Sequence, residues 1–103
     1  MKIRVLGKTY TVRIFGQKEI EFDQNFGSCD PRMKAIRIAA CDSENMEETL
    51  LHEIIEAINY QLSLELEHPQ IQALSETLYS VLTTGSRDIS LKINLPRKPE
   101  RKV

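Results

Sequence analysis

The chain has 103 residues, 41% of them apolar and 28% charged, which suits one globular core and leaves no room for a separate regulatory module. Fourteen Lys and Arg against fifteen Asp and Glu give a net charge of −1, so no global field recruits nucleic acid or anionic lipid. No run reaches the roughly 18 apolar residues of a membrane span, and the opening MKIRVLGKTY lacks the apolar stretch of a secretion signal, so a cytoplasmic location without membrane contact is expected.

Ile3 and Val5, then Tyr10, Val12 and Ile14, alternate with polar residues around Gly7-Lys8, a pattern that predicts a β-hairpin with one face on the core. Gly16 ends it, and QKEIEFDQN (17–25) fits either a short strand or a turn of helix. FGSCD (26–30), followed by Pro31, reads as turn chemistry. Ile36 and Ile38 alternate within Lys34 to Ala39 as a third strand. Cys29 and Cys41 lack C-x-x-C spacing, which removes zinc-ribbon and dithiol-redox readings and leaves two reduced, structural thiols.

Ser43 to Ser63, SENMEETLLHEIIEAINYQLS, predicts one long helix, N-capped by Asp42 or Ser43, with Glu44, Glu47 and Glu48 at the positive end of its dipole. Leu51, Ile55, Ile58 and Leu62 form one apolar stripe, with Leu50, Ile54 and Ala57 further round. A second helix is expected over His68 to Leu82, with His68 as cap, Pro69 at the first position, and Ile71, Leu74, Leu78 and Leu82 facing the core. Gly85 would end it. The short link 63–67 folds the two helices antiparallel. Asp88 to Leu95 alternates as a C-terminal strand, and residues 96–103, with Arg97, Lys98, Arg101 and Lys102, form a charged, flexible tail. The whole predicts an α+β fold: a small, antiparallel-rich sheet packed on two antiparallel helices, one domain over residues 1–95.

The chemistry rests on His52-Glu53-Ile54-Ile55-Glu56. His52 and Glu56 are i and i+4 on the long helix, on one face and one turn apart, with Glu53 rotated by about 100°. Folding the second helix back brings His68 toward them, so two histidines and a carboxylate can converge on a metal ion. The run Thr49-Leu50-Leu51-His52-Glu53-Ile54-Ile55, placed after a hairpin and a third strand, is similar to the active-site helix of zincin metallopeptidases in their smallest, ImmA/IrrE-type form. It resembles in particular small uncharacterised phage proteins that carry H-E-I-I-E-A. The resemblance spans roughly residues 2–82, and its specific part is 49–68.

In zincins the helix histidines hold zinc and the glutamate after the first is the general base. Carried over, the resemblance implies a zincin-like core and metal ligands His52, Glu56 and His68. Glu53 would then be the general base of a peptidase-like hydrolysis of an amide, with a peptide or protein as substrate. It also implies the host cytoplasm, should the chain be phage-encoded. Glu56 departs from the pattern by standing where the second histidine belongs. Two histidines and one carboxylate still make a known catalytic zinc set, and the carboxylate admits Mn²⁺ or Fe²⁺ beside Zn²⁺.

Other readings stay open at this level. His52, Glu53 and Glu56 could form the solvated face of an amphipathic helix, and His68 could be only a cap. Glu76 competes with His68 as third ligand, Cys29 or Cys41 could replace it, and Tyr60 or Tyr79 could serve an oxyanion. A degenerate or structural metal site on the same scaffold would make the chain a catalytically inactive binder of a partner protein. The basic tail, without interleaved aromatics, makes a weak case for nucleic acid.

Overall fold

Alternating apolar residues build the sheet in the computed structural model, which describes residues 1–16 and 26–83. Strand β1 (Lys2–Val5) turns through Leu6 and Gly7 into β2 (Lys8–Phe15), and the two pair antiparallel, Ile3 opposite Tyr10. The turn sits one residue earlier than expected. Leu6 and Gly7 both have positive φ, 52° and 80°, the pair of left-handed residues that a tight hairpin turn needs to match strand twist.

A second hairpin follows. β3 (Gly27–Asp30) pairs antiparallel with β4 (Ala35–Ala39), and β4 lies parallel to β2, Val12 opposite Ile36 and Ile14 opposite Ile38. The strand order is β1-β2-β4-β3. Residues 27–30, read as a turn, are thus an edge strand, and the turn is 31–34. There the Asp30 side chain accepts from the backbone N–H of Arg32 and Met33 at 3.1 and 3.2 Å. Gly, Ser, Cys and Asp carry almost no strand preference of their own, so β3 exists through its ladder with β4 and its packing on a helix.

The register sorts side chains by face. Val5, Tyr10, Val12, Ile14, Ile36 and Ile38 are buried on one face, while Arg4, Thr9 and Arg13 on the other are exposed. Gly27 and Cys29, opposite Ile38 and Ile36, share the buried side. Helix α1 (Ser43–Leu62) covers that face with Met46, Leu50 and Ala57, and each large apolar side chain buried there contributes about 1.5–3 kcal/mol. Asp42 is the N-cap, accepting from the N–H of Asn45 at 2.8 Å.

Helix α2 (His68–Thr83) packs on a different stripe of α1, through Leu51, Ile55 and Ile71. His68, at its start, meets residues 52 and 56, while Tyr79, near its end, donates to Glu47 at 2.9 Å, so the helices run in opposite directions. Its core face is narrower than expected. Ile71 and Ser75 are buried and Tyr79 and Leu82 partly so, whereas Leu74 and Leu78 stand outward, as does Leu62 of α1. Ser75, fully buried, occupies the inner line of α2 with Ile71, and Leu74 and Leu78 fall outside it.

The expected C-terminal strand over 88–95, Gly85 as helix stop, the tail 96–103 and the undecided stretch 17–25 lie outside the described residues. No described helix is long and apolar enough to cross a membrane.

Candidate metal centre

Helix α1 presents its polar residues into the angle between α2 and the edge strand β3. His52 and Glu53 are both buried there, at 9% and 6% exposure, which removes the reading of a solvated helix face for these two. Burial follows from crowding on two sides. Gly27 of β3 sits so close to α1 that a Cβ added to it would lie 2.5 Å from Thr49 Cγ2 and 3.3 Å from Glu53 Oε2. Only a residue without a side chain lets β3 lie down on Glu53.

The link between the helices places the third group. Ser63, in the left-handed conformation, closes α1 by donating its N–H to the carbonyls of Asn59 and Tyr60. Asn59 then holds the link from both sides: its Oδ1 accepts from the Leu66 N–H at 2.9 Å and its Nδ2 donates to the Leu66 carbonyl at 3.3 Å. Glu67 occupies the cap position of α2, its N–H donating to Gln70 Oε1 at 2.8 Å. His68 is therefore the first helical residue and not the cap, and Pro69 the second.

His68 reaches back over α1. Its Nδ1 lies 3.9 Å from Glu56 Oε2, and His52 Nε2 lies 3.6 Å from the same oxygen. The two imidazole rings are 5.0 Å apart, and one donor atom from each of the three residues falls within 4.8 Å of the others. Ligands about 2.1 Å from a tetrahedral metal stand about 3.4 Å apart. The three groups are thus from about 0.2 Å to as much as about 1.4 Å wider than a loaded site and fit a divalent cation after side-chain shifts of that size.

Glu53 lies beside this group and outside it. Burial, with Glu56 nearby, pushes its carboxyl up from the ordinary 4.5 to about 7. It accepts no hydrogen bond from the described residues; instead it opens onto two cavities of about 460 and 510 Å³ that share Gly27, His52, Glu53 and His68. The other candidates separate. Glu76 lines the first cavity but is not in the three-residue group. Cys29 lines the second, and burial, then Glu53, Glu56 and Asp30, push its thiol up to about 12, so it stays protonated. Cys41 also lines the first cavity, and both cysteines are free. Tyr60 lines the second cavity with Glu56 and His68, whereas Tyr79 is committed to Glu47.

Two residues of the site carry no chemistry of their own and escape a motif-based reading: Gly27, inside an apparent turn, and Asn59, whose only signal is its place on the polar arc of α1 one turn before the link. Comparison with family models, with curated proteins and with solved structures gave no match, so a function has to be argued from these residues.

Proposed function

We propose that the chain is a metal-dependent hydrolase of peptidase type, with His52, Glu56 and His68 as metal ligands and Glu53 as general base. The observation that carries this is the convergence of two histidines and a carboxylate beside a second, buried carboxylate that faces open cavity and no protein donor. A zinc ion held by the three ligands, or Mn²⁺ or Fe²⁺ in its place, supplies Lewis acidity toward a water and a carbonyl oxygen.

The protein's own part is positioning and proton transfer. Strand β3 is an edge of the described sheet, and its outer backbone groups can pair with an extended peptide laid alongside. A peptide paired in this way would bring a carbonyl toward the face bearing His52 and Glu53. Glu53 takes one proton from the attacking water as its oxygen bonds to the carbonyl carbon, then returns it to the departing amine nitrogen as the C–N bond breaks. In the metal-free protein burial and the neighbouring Glu56 raise this carboxyl above the ordinary range, which makes it the stronger proton acceptor of the exchange. Tyr60, which lines the second cavity with Glu56 and His68, would be the donor toward the oxyanion.

Metal content measured by mass spectrometry on untagged protein tests the reading. One Zn²⁺, Mn²⁺ or Fe²⁺ per chain is expected, lost in both His52→Ala and His68→Ala, with peptide cleavage that Glu53→Gln removes. Protein that takes up none of these ions on incubation overturns it. The second reading, a silent scaffold that binds a partner protein, would then be preferred, and one observation favours it: Leu74, Leu78 and Val81 stand exposed along one side of α2.

A further inference from the structure

The cavities along β3 are not alike in charge. The one toward Phe26 receives a carboxylate from each helix: Glu48, one turn before His52 on α1, and Glu76, two turns after His68 on α2. Gln72 Nε2 donates to Glu76 Oε1 at 2.9 Å, which fixes that carboxylate and leaves its second oxygen for another donor. No lysine or arginine is among the described residues lining this cavity. Glu53, nine-tenths buried and without a described hydrogen-bond donor, opens onto it as well, so the described lining holds three acidic side chains and no lysine or arginine. Glu53 is buried and Glu48 half-buried, so this lining favours a cation entering from solvent, with the exposed Glu76 as a further acidic partner.

The opposite end of the strand is reversed. The cavity beyond Cys29 is lined by Arg32 and Arg37, and its one carboxylate, Asp30, is already tied to the turn. A cationic side chain is attracted to the Phe26 end and repelled from the Arg37 end. Glu48 lies about 6 Å along α1 from His52, close to the length of an extended lysine or arginine side chain, whereas Glu76 lies about 12 Å along α2 from His68 and meets such a side chain only by extending its own toward it. Phe26, 64% exposed at the rim, offers a ring to the aliphatic stem or to the cation itself.

We infer that the Glu48–Glu76 cavity is a specificity pocket for a lysine or arginine side chain of an extended peptide, adjacent to the bond presented to Glu53. The inference rests on the peptidase reading for the placement of the peptide backbone, but the pocket is tested by binding as well as by turnover. Fluorescein-labelled octapeptides that differ at one position, with lysine, norleucine or glutamate there, are titrated against the zinc-treated full chain. Binding is read by anisotropy and cleavage by mass spectrometry. Zinc content and thermal melts accompany each variant.

The lysine peptides are expected to bind at least 10-fold tighter than the norleucine ones. Glu48→Gln with Glu76→Gln should bring them down to the norleucine level, and Glu48→Lys should transfer the preference to glutamate peptides. Equal affinities, no binding of any peptide, or a preference that survives the double substitution would overturn the pocket. So would zinc loss in the double variant, which would assign Glu76 to the metal. Discrimination in binding with no cleavage would keep the pocket and reject the peptidase; cleavage without discrimination would do the reverse.

Discussion

The two edges of the sheet are built on different terms. β1 is held by what its own sequence provides: alternating apolar residues, a two-residue turn with both residues at positive φ, and Gln61 of α1 donating to the Val5 carbonyl at 3.0 Å and to Tyr10 Oη at 3.2 Å. β3 has four residues of low strand preference and lies against the polar face of α1, next to a buried carboxylate. One edge is made for stability. The other has little intrinsic strand strength, lies in contact with Glu53 and is an edge among the described strands, and substitutions on the two edges should therefore separate stability from chemistry.

The largest effect is expected at Glu53. Glu53→Gln should lower peptide cleavage by about 10²–10⁴-fold, the usual contribution of a general base. In metal-free protein the same change should stabilise the fold, and the sign follows from the proton balance. The folded carboxyl titrates near 7 and the unfolded one near 4.5, so between those values the native state holds more protons than the unfolded chain. Stability therefore falls as pH rises from about 4.5 to about 7 and levels off above. Glu53→Gln lacks that slope and should gain on the order of 2–3 kcal/mol over wild type above pH 7. Urea denaturation in EDTA at pH 5 and pH 8 measures it; a wild-type protein more stable at pH 8 than the glutamine variant would contradict the assignment of Glu53 as a buried, unpartnered acid.

Much of this was legible in the sequence, and the limits have physical causes. Both helices, the β1–β2 hairpin and the strand at 36–38 are readable because their apolar residues recur with the period of the element they form. His52 and Glu56 are readable as a pair because helical spacing is local. The meeting with His68 depends on a short link, and short links leave few geometries. β3 was not legible, because its strand state comes from pairing with β4 and contact with α1, neither of which is written in Gly-Ser-Cys-Asp. The outward turn of Leu74 and Leu78 is not legible for a related reason: a helix with apolar residues on more than one line can bury either, and here the buried line runs through Ile71 and Ser75.

Next in size is the contrast between two glycines. Gly27→Ala puts a Cβ against Thr49 Cγ2 and, at 3.0 Å, the Arg37 carbonyl, which should cost about 1–3 kcal/mol and push β3 off α1. Adding Thr49→Ala should recover part of that loss, a coupling that a double-mutant cycle reads directly. Gly7→Ala meets nothing within 4 Å and pays only for a left-handed alanine, about 1 kcal/mol. Zinc affinity should fall with the first and stay level with the second. Equal losses of zinc affinity at the two positions would mean that the site depends on overall stability and not on the seating of β3.

The smallest expected effect is also the sharpest separation, because Asn59 and Gln61 lie two residues apart on α1 and each makes two hydrogen bonds, the first to the 63–67 link and the second to the β1–β2 hairpin. Asn59→Ala removes both bonds to Leu66, and Gln61→Ala removes those to Val5 and Tyr10, so each should cost about 1–2 kcal/mol. Their consequences for metal should differ. Without Asn59 the 63–67 link no longer fixes the start of α2, and His68, held to Glu56 by nothing shorter than 3.9 Å, loses its position; groups that orient ligands in this way are worth about 10–100-fold in metal affinity. Gln61→Ala leaves that link intact. Zinc competition against a chromophoric chelator, run on both variants at matched thermal stability, should show weakening in Asn59→Ala alone. Similar affinities in the two would place His68 outside the metal site and return Glu76, on the same helix and facing the neighbouring cavity, as the ligand to examine.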